Sequence, residues 1–172
     1  MIEFRNVSKS FKEKKILNQV HYTFNDTGFY VLLGESGVGK TTFLNILSTL
    51  DQDYKGQIFF NEKLLDKKKS CRQFLNQQVS YFHQDHLLFN HLTVMENLTL
   101  FHSSKSTSFS VWELLKEFHL DKFADKKVMQ LSQGEKRRVA LIRTLLKPAN
   151  IYLFDEPTSF LDDENKRKVL EK

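Results

Sequence analysis

The sequence predicts an α/β fold, a mostly parallel sheet with an antiparallel edge, covered by helices and interrupted by an inserted helical subdomain. Three observations carry this. Largely apolar runs at Phe29-Tyr30-Val31-Leu32-Leu33, Val79-Ser80-Tyr81-Phe82 and Ile151-Tyr152-Leu153-Phe154 read as strands buried on both faces, the pattern of parallel sheets joined by helices. A glycine-rich loop, Gly34 to Thr42, follows the first run and opens a helix. Between Asp85 and Leu131 the spacing of apolar residues turns helical.

A chain of 172 residues can bury a respectable core as one compact unit with a subdomain. Its net charge of +5 is spread over many lysines, which describes a solvated surface more simply than an attraction to membranes or nucleic acid. The single cysteine, Cys71, excludes an internal disulfide and fits a reducing cytosol, where a structural role is expected. No signal peptide is expected from Met1-Ile2-Glu3-Phe4, and no apolar run approaches the length that spans a bilayer. Work at a membrane would need a partner that holds the chain there.

In chain order, Ile2, Phe4 and Val7 begin a short strand, and the alternation of Val20, Tyr22 and Phe24 predicts a half-buried one. Gly28 turns the chain into Phe29 to Leu33, and the helix after the loop runs from Lys40 to about Leu50. Gly56 leads into Gln57-Ile58-Phe59-Phe60, expected on the sheet's edge. A basic helix follows around Asp66 to Asn76, where Lys67-Lys68-Lys69 reads as a solvated face. Val79 to Phe82 delivers His83, Gln84 and Asp85 to a loop. Thr93 to Phe101 and Val111 to Phe118 have helical spacing and are separated by the serine-rich Ser103 to Ser110, expected as a mobile loop. The last helix ends near Leu146, with Pro148 just beyond it. This organisation predicts a core at residues 1–84 and 132–172 and a helical subdomain at 85–131.

The chemistry-bearing stretch is Gly34-Glu35-Ser36-Gly37-Val38-Gly39-Lys40-Thr41-Thr42, which fits the phosphate-loop pattern G-x-x-x-x-G-K-[ST]. Glycines at these spacings let the backbone turn tightly and aim successive N–H groups at an anion. The following helix adds the positive end of its dipole. Lys40 reaches terminal phosphates as a point charge, and the Thr41 hydroxyl is the expected magnesium ligand. An ordinary glycine-rich turn is the competing reading, against which the strand-then-helix setting weighs. The working ligand is a nucleoside triphosphate.

Two later stretches extend this. In Leu131-Ser132-Gln133-Gly134-Glu135, Ser132 and Glu135 have the spacing of a capping box, and a capped helix start beside a glycine also offers backbone donors to a phosphate. Asp155-Glu156-Pro157 ends an apolar strand, and two adjacent carboxylates there are poorly explained by packing, because a buried charge needs a partner. Beside a phosphate loop magnesium supplies that partner. Asp155 would hold the ion directly or through water, and Glu156 would accept a proton from the attacking water.

With these residues in place the chain resembles the nucleotide-binding subunit of an ATP-binding-cassette (ABC) transporter. The phosphate loop, the Gln84 loop, Leu131 to Glu135, and Tyr152-Leu153-Phe154-Asp155-Glu156-Pro157-Thr158-Ser159 occur in the family's order. Ser159-Phe160-Leu161-Asp162 resembles its D-loop, where Ala is more usual than Phe160. The text around Gln84, Asp85, Leu92-Thr93-Val94 and Glu96-Asn97 is similar to the lipoprotein-release, macrolide-export and bacteriocin-export branch.

The resemblance implies a P-loop NTPase core that hydrolyses ATP with magnesium and powers export through ATP-driven dimerisation. Two copies would bind head to tail, so that Ser132 and Gly134 of one contact the γ-phosphate held by Lys40 of the other. Phe11 would stack on adenine, with a core role as the alternative. Gln84 would sense magnesium and the attacking water, linking the site to the helical subdomain at 85–131, which docks on a transmembrane permease. Asp162 would cross the dimer interface. The expected location is the cytoplasm, peripheral on the inner face of the cell membrane through the permease, with no nucleic-acid partner.

Two departures qualify the resemblance. Gln133 stands where the family usually has glycine, although Ser132 and Gly134 remain. Family members also continue to a switch histidine, whereas this sequence ends at Lys172 and its last histidine, His119, precedes the family's signature motif, here Leu131 to Glu135. The expectation is a truncated product of a longer subunit, with apolar surface uncovered on one side of the sheet and weak or no hydrolysis of its own. The alternative function is accordingly a truncated ATP-binding module, against which the intact Asp155-Glu156 pair argues. A cassette acting on DNA or ribosomes would need a second cassette or a large insertion, and a P-loop kinase would leave Leu131 to Glu135 without a role.

Overall fold

The computed structural model describes residues 1–25, 27–65, 69–83, 85–100 and 110–157. The chain divides into two compact units, Met1–Gln77 and Gln78–Lys172.

The first unit is built on an antiparallel sheet of β1 (Ile2–Phe11), β2 (Lys14–Phe24), β3 (Lys55–Phe60) and β4 (Lys63–Leu64), in the order β2-β1-β3-β4. Side chains in a strand alternate between faces, and β1 buries Ile2 and Phe4 accordingly, but then Val7 and Lys9. The period slips at Asn6, whose φ of 54° marks a bulge that moves the odd-numbered residues to the inside. Gly56 lies opposite with φ 97°, and a Cβ there would stand 2.4 Å from the Asn6 carbonyl oxygen, so this pairing requires glycine. The buried Lys9 ammonium is met by the Asp51 carboxylate at 2.9 Å and by the Asp53 carboxylate and carbonyl at 3.2 and 2.5 Å. Burial alone would lower its pKa, but these partners outweigh it and raise the value.

Helix α1 (Lys40–Leu47) buries Phe43, Leu44, Ile46 and Leu47, and the Phe43 ring stacks on Phe4 at 5.1 Å. Helix α2 (Lys69–Gln78) buries Cys71 and Phe74. Thr49 Oγ1 donates to the Cys71 carbonyl at 3.0 Å, in keeping with a structural setting for this cysteine. The expected edge strand Gln57 to Phe60 falls within β3, which is flanked on both sides, and the two-residue β4 forms the edge instead.

A second difference concerns Phe29 to Leu33, which is not a strand here and leaves Phe29 85% and Leu33 88% exposed. An apolar run specifies a preference for burial, whereas a strand needs ladder partners. The neighbouring chemistry is aromatic: Tyr30 packs edge-on against Tyr22 and Phe24, and its hydroxyl accepts from the Asn25 N–H at 2.9 Å.

In the second unit β5 (Val79–Phe82) and β6 (Ile151–Phe154) pair in parallel and in register, Val79 with Ile151 through Phe82 with Phe154. Helices α3 (Val94–Thr99), α4 (Val111–Glu117) and α5 (Gln133–Leu146) complete it, with 3-10 turns at Asp121–Phe123 and Val128–Gln130. One core joins Phe82, Leu98, Leu114, Phe118, Leu141 and Ile142. Each helix starts with a cap: Thr93 accepts from the Glu96 N–H at 3.1 Å, Glu113 accepts from the Ser110 N–H at 3.3 Å, and Ser132 accepts from the Glu135 N–H at 3.3 Å. The serine-rich segment expected as a loop lies outside the described residues, except for Ser110. Among the described residues no helix is long and apolar enough to cross a membrane.

Candidate functional site

The phosphate-loop residues lie in the first unit. Gly39 caps α1 with φ 111°, a left-handed conformation, and a Cβ there would stand 2.3 Å from Ile16 Cγ2 of β2. Gly37 has φ 76° with open space around it, so its demand is conformational alone. Glu35, Ser36 and Val38 face solvent, and Gly39 through Thr42 are half-buried. Lys40 Nζ donates to the carbonyls of Gly34 at 2.8 Å and Glu35 at 2.9 Å, so the ammonium is held inside its own loop. Glycine offers the α1 start no side-chain cap, and the first turn carries no acidic residue. Helices α3, α4 and α5 each carry a glutamate there. The leading N–H groups of α1 thus suit an external anion. Phe11 stands at the end of β1 with its ring half exposed and Lys9 Nζ 4.9 Å from the ring centroid.

The acidic pair lies in the second unit, at the end of β6. Asp155 is buried, its N–H donating to the Phe82 carbonyl at 3.1 Å, while Oδ2 is buried with no hydrogen-bond partner among the described residues. A buried carboxylate oxygen left unsatisfied suits a cation ligand. Glu156 is exposed and left-handed, φ 49°, and its carbonyl accepts from Arg137 Nη2 of α5. The Arg137 guanidinium is itself buried, lying over the Phe82 ring at 5.4 Å. Burial pushes its pKa down, and the carboxylates of Glu156 and Asp155 oppose that shift. Burial, aided by Asp155, holds the Tyr81 phenol well above its ordinary value. No cluster of three or more His, Cys, Asp and Glu forms a metal site among the described residues.

Gln84 lies outside the described residues, as do Thr158, Ser159, Phe160 and Asp162. The backbone after Gln84 is strained: His86 and Leu87 have φ 60° and 48°. Arg143 of α5 donates to their carbonyls, from Nη2 to His86 at 2.7 Å and from Nη1 to Leu87 at 2.8 Å. Asp85, His86, Asn90, Gln133 and Lys136 border a polar cleft of about 250 Å3 beside this turn.

At the start of α5 Ser132 and Glu135 close the expected box in both directions. The Ser132 N–H and hydroxyl donate to Glu135 Oε2 at 2.7 and 2.8 Å, and these bonds hold the carboxyl below its ordinary range. A Cβ on Gly134 would meet nothing nearer than Arg138 Nη1 at 4.0 Å, so packing does not demand glycine at this position. Sequence reasoning missed Arg137 and Arg143. The available signal was a cation beside the apolar residues of α5, Arg137 two residues before Val139 and Arg143 between Ile142 and Leu146.

The family profile described as ABC transporter matches residues 17–159, most of the chain. The chain belongs to the ABC transporter family. Its cassette is 36% identical over 167 residues to the spermidine/putrescine import ATP-binding protein PotA of Legionella pneumophila (strain Paris), covering 94% of this chain and 45% of that protein. It is 32% identical over 176 residues to the lipoprotein-releasing system ATP-binding protein LolD of Buchnera aphidicola subsp. Acyrthosiphon pisum, covering 96% and 77%. Among solved structures it resembles the dimeric post-hydrolysis state of the ATP-binding cassette MJ0796 bound to ADP and Pi. That likeness has a TM-score of 0.85 and 29% identity over 99% of this chain and 80% of the other. The ABC cassette has the P-loop NTPase fold expected from the sequence. The chain spans about half the length of the PotA relatives it matches. Import and releasing proteins both stand among the relatives, so the likeness identifies the cassette rather than a direction of transport.

Proposed function

We propose that this ABC chain is an ATP-binding and hydrolysing transport subunit that closes with a second copy on ATP and drives a transmembrane permease. The observation that carries the proposal is the start of α1, where glycine replaces a side-chain cap, no carboxylate occupies the first turn, and Lys40 is held in the loop. The residues from Gly34 to Thr42 would cradle the phosphates, and Phe11 would stack on the base. Thr41, Asp155 and Gln84 would hold magnesium, which supplies charge neutralisation at the β- and γ-phosphates when bound. The unsatisfied Asp155 Oδ2 supports this assignment.

Glu156 would accept the proton of the attacking water, with Gln84 orienting that water. Ser132 and Gly134 would present the start of α5 to the γ-phosphate bound by the other copy, a role consistent with a glycine that packing does not require. Residues 85–131 would form the helical subdomain that meets the permease and so place the protein at the inner face of the membrane. The membrane subunit would set the substrate and direction, including the export direction that the branch resemblance suggests.

Two substitutions test this reading. Lys40→Ala should weaken ATP binding by about a hundredfold, the scale of a lost charge-assisted phosphate contact. Glu156→Gln should leave ATP affinity within about twofold while lowering turnover by roughly 10²–10⁴-fold. Undiminished turnover in the glutamine variant would remove Glu156 from the base role.

A further inference from the structure

We propose that Arg137 is a positioning residue that sets the backbone of Glu156 and thereby aims its carboxylate. The proposal rests on the reading of Glu156 as the general base and adds a residue that would act through the Glu156 backbone. Four observations support it. Glu156 is a left-handed non-glycine residue, a conformation that persists only where the surroundings hold it. Its carbonyl accepts a hydrogen bond from Arg137 Nη2. Arg137 is 3% exposed, which is costly for a guanidinium unless it gains hydrogen bonds and compensating charge. Part of each comes from one place: the Glu156 carbonyl accepts a hydrogen bond, and the adjacent Glu156 and Asp155 carboxylates oppose the loss of the charge.

The guanidinium is also packed on an aromatic ring. Its guanidinium lies over Phe82, the last residue of β5, whose carbonyl accepts from the Asp155 N–H at the end of β6. Arg137 therefore sits where both parallel strands deliver their loops, and it is mounted on α5, the helix that begins at Ser132. A shift of α5 along its axis would move the Glu156 backbone through this contact. Within the second unit, the Arg137 side chain joins the helix that begins at Ser132 to the loop that carries Glu156.

The test compares Arg137→Met, which keeps an aliphatic side chain of similar length and removes the donor, with Arg137→Lys and Glu156→Gln. All three are read in the same chain for kcat, KM for ATP and the ATP-dependent dimer. Arg137→Met should lower kcat by about tenfold or more with KM changed less than twofold, because the lost function is realised in the transition state. It should also accumulate an ATP-bound dimer, as is expected of Glu156→Gln when hydrolysis is blocked, and Arg137→Lys should recover part of kcat. Wild-type kcat in the methionine variant would overturn the proposal, as would a rise in KM and loss of the dimer alongside kcat, which is what general damage produces. If the methionine chain does not fold, the lysine variant decides: a kcat loss of about threefold or more at unchanged KM supports the role, and wild-type kcat refutes it. Normal turnover in Glu156→Gln would instead overturn the base assignment.

Discussion

The side chain of Asn97 closes on the backbone of Phe89 from both directions, donating to its carbonyl at 3.0 Å and accepting from its N–H at 2.9 Å. A second donation, to the Thr93 carbonyl at 2.9 Å, completes a fully buried amide. Asn97→Ala should lower stability by about 2–3 kcal/mol, the cost of stranding buried backbone groups. Urea unfolding of the two proteins would measure it, and a change below about 0.5 kcal/mol would assign the order around Phe89 to other contacts.

Gly39 meets two constraints at once, a φ of 111° and a close approach by Ile16. Gly39→Ala should abolish nucleotide binding and lower stability by about 2 kcal/mol or more. Adding Ile16→Ala removes the clashing methyl but not the strained backbone, so the double variant should remain impaired. Thermal melts with and without ATP separate the two contributions.

The Glu135 carboxylate gives α5 a pH-dependent start. Hydrogen bonds from Ser132 hold its folded pKa below the unfolded value, so its contribution is complete above the unfolded value and is lost as pH falls through the folded one. The unfolded chain binds the proton more readily, and stability therefore rises with pH across that acid window. Glu135→Gln should keep stability near neutrality within about 1 kcal/mol and flatten the acid limb of a urea-midpoint series between about pH 3 and 7.

Arg143 bonds to two successive carbonyls in a turn that no glycine relieves. Arg143→Met should raise amide exchange across Asp85 to Asn90 by about tenfold while leaving β5 protected, since local opening is governed by the contacts that hold each segment. Equal protection in both proteins would show that the turn is held from elsewhere.

Much of this architecture is legible because its causes are local. The Ser132 and Glu135 box follows from hydroxyl and carboxylate chemistry three residues apart, and Val79 to Phe82 and Ile151 to Phe154 become partners as their apolar runs suggest. The glycine positions of the phosphate loop follow from backbone sterics. Phe29 to Leu33 illustrates the opposite case, because its sequence states only that it avoids water, and ladder formation depends on residues far along the chain. The bulge at Asn6 is equally silent, since it is defined by register against two other strands. Arg137 and Arg143 read as surface charges until the apolar face of α5 is known to pass beneath strained carbonyls.

Seen from an incoming phosphate, the start of α5 is already guarded by an anion. The Glu135 carboxylate draws in both the N–H and the hydroxyl of Ser132. Recruiting that serine to a ligand would exchange one negative group for another on a shared donor set. On the proposed reading, the affinity at this helix start would therefore be a difference between two attractions rather than the whole of one.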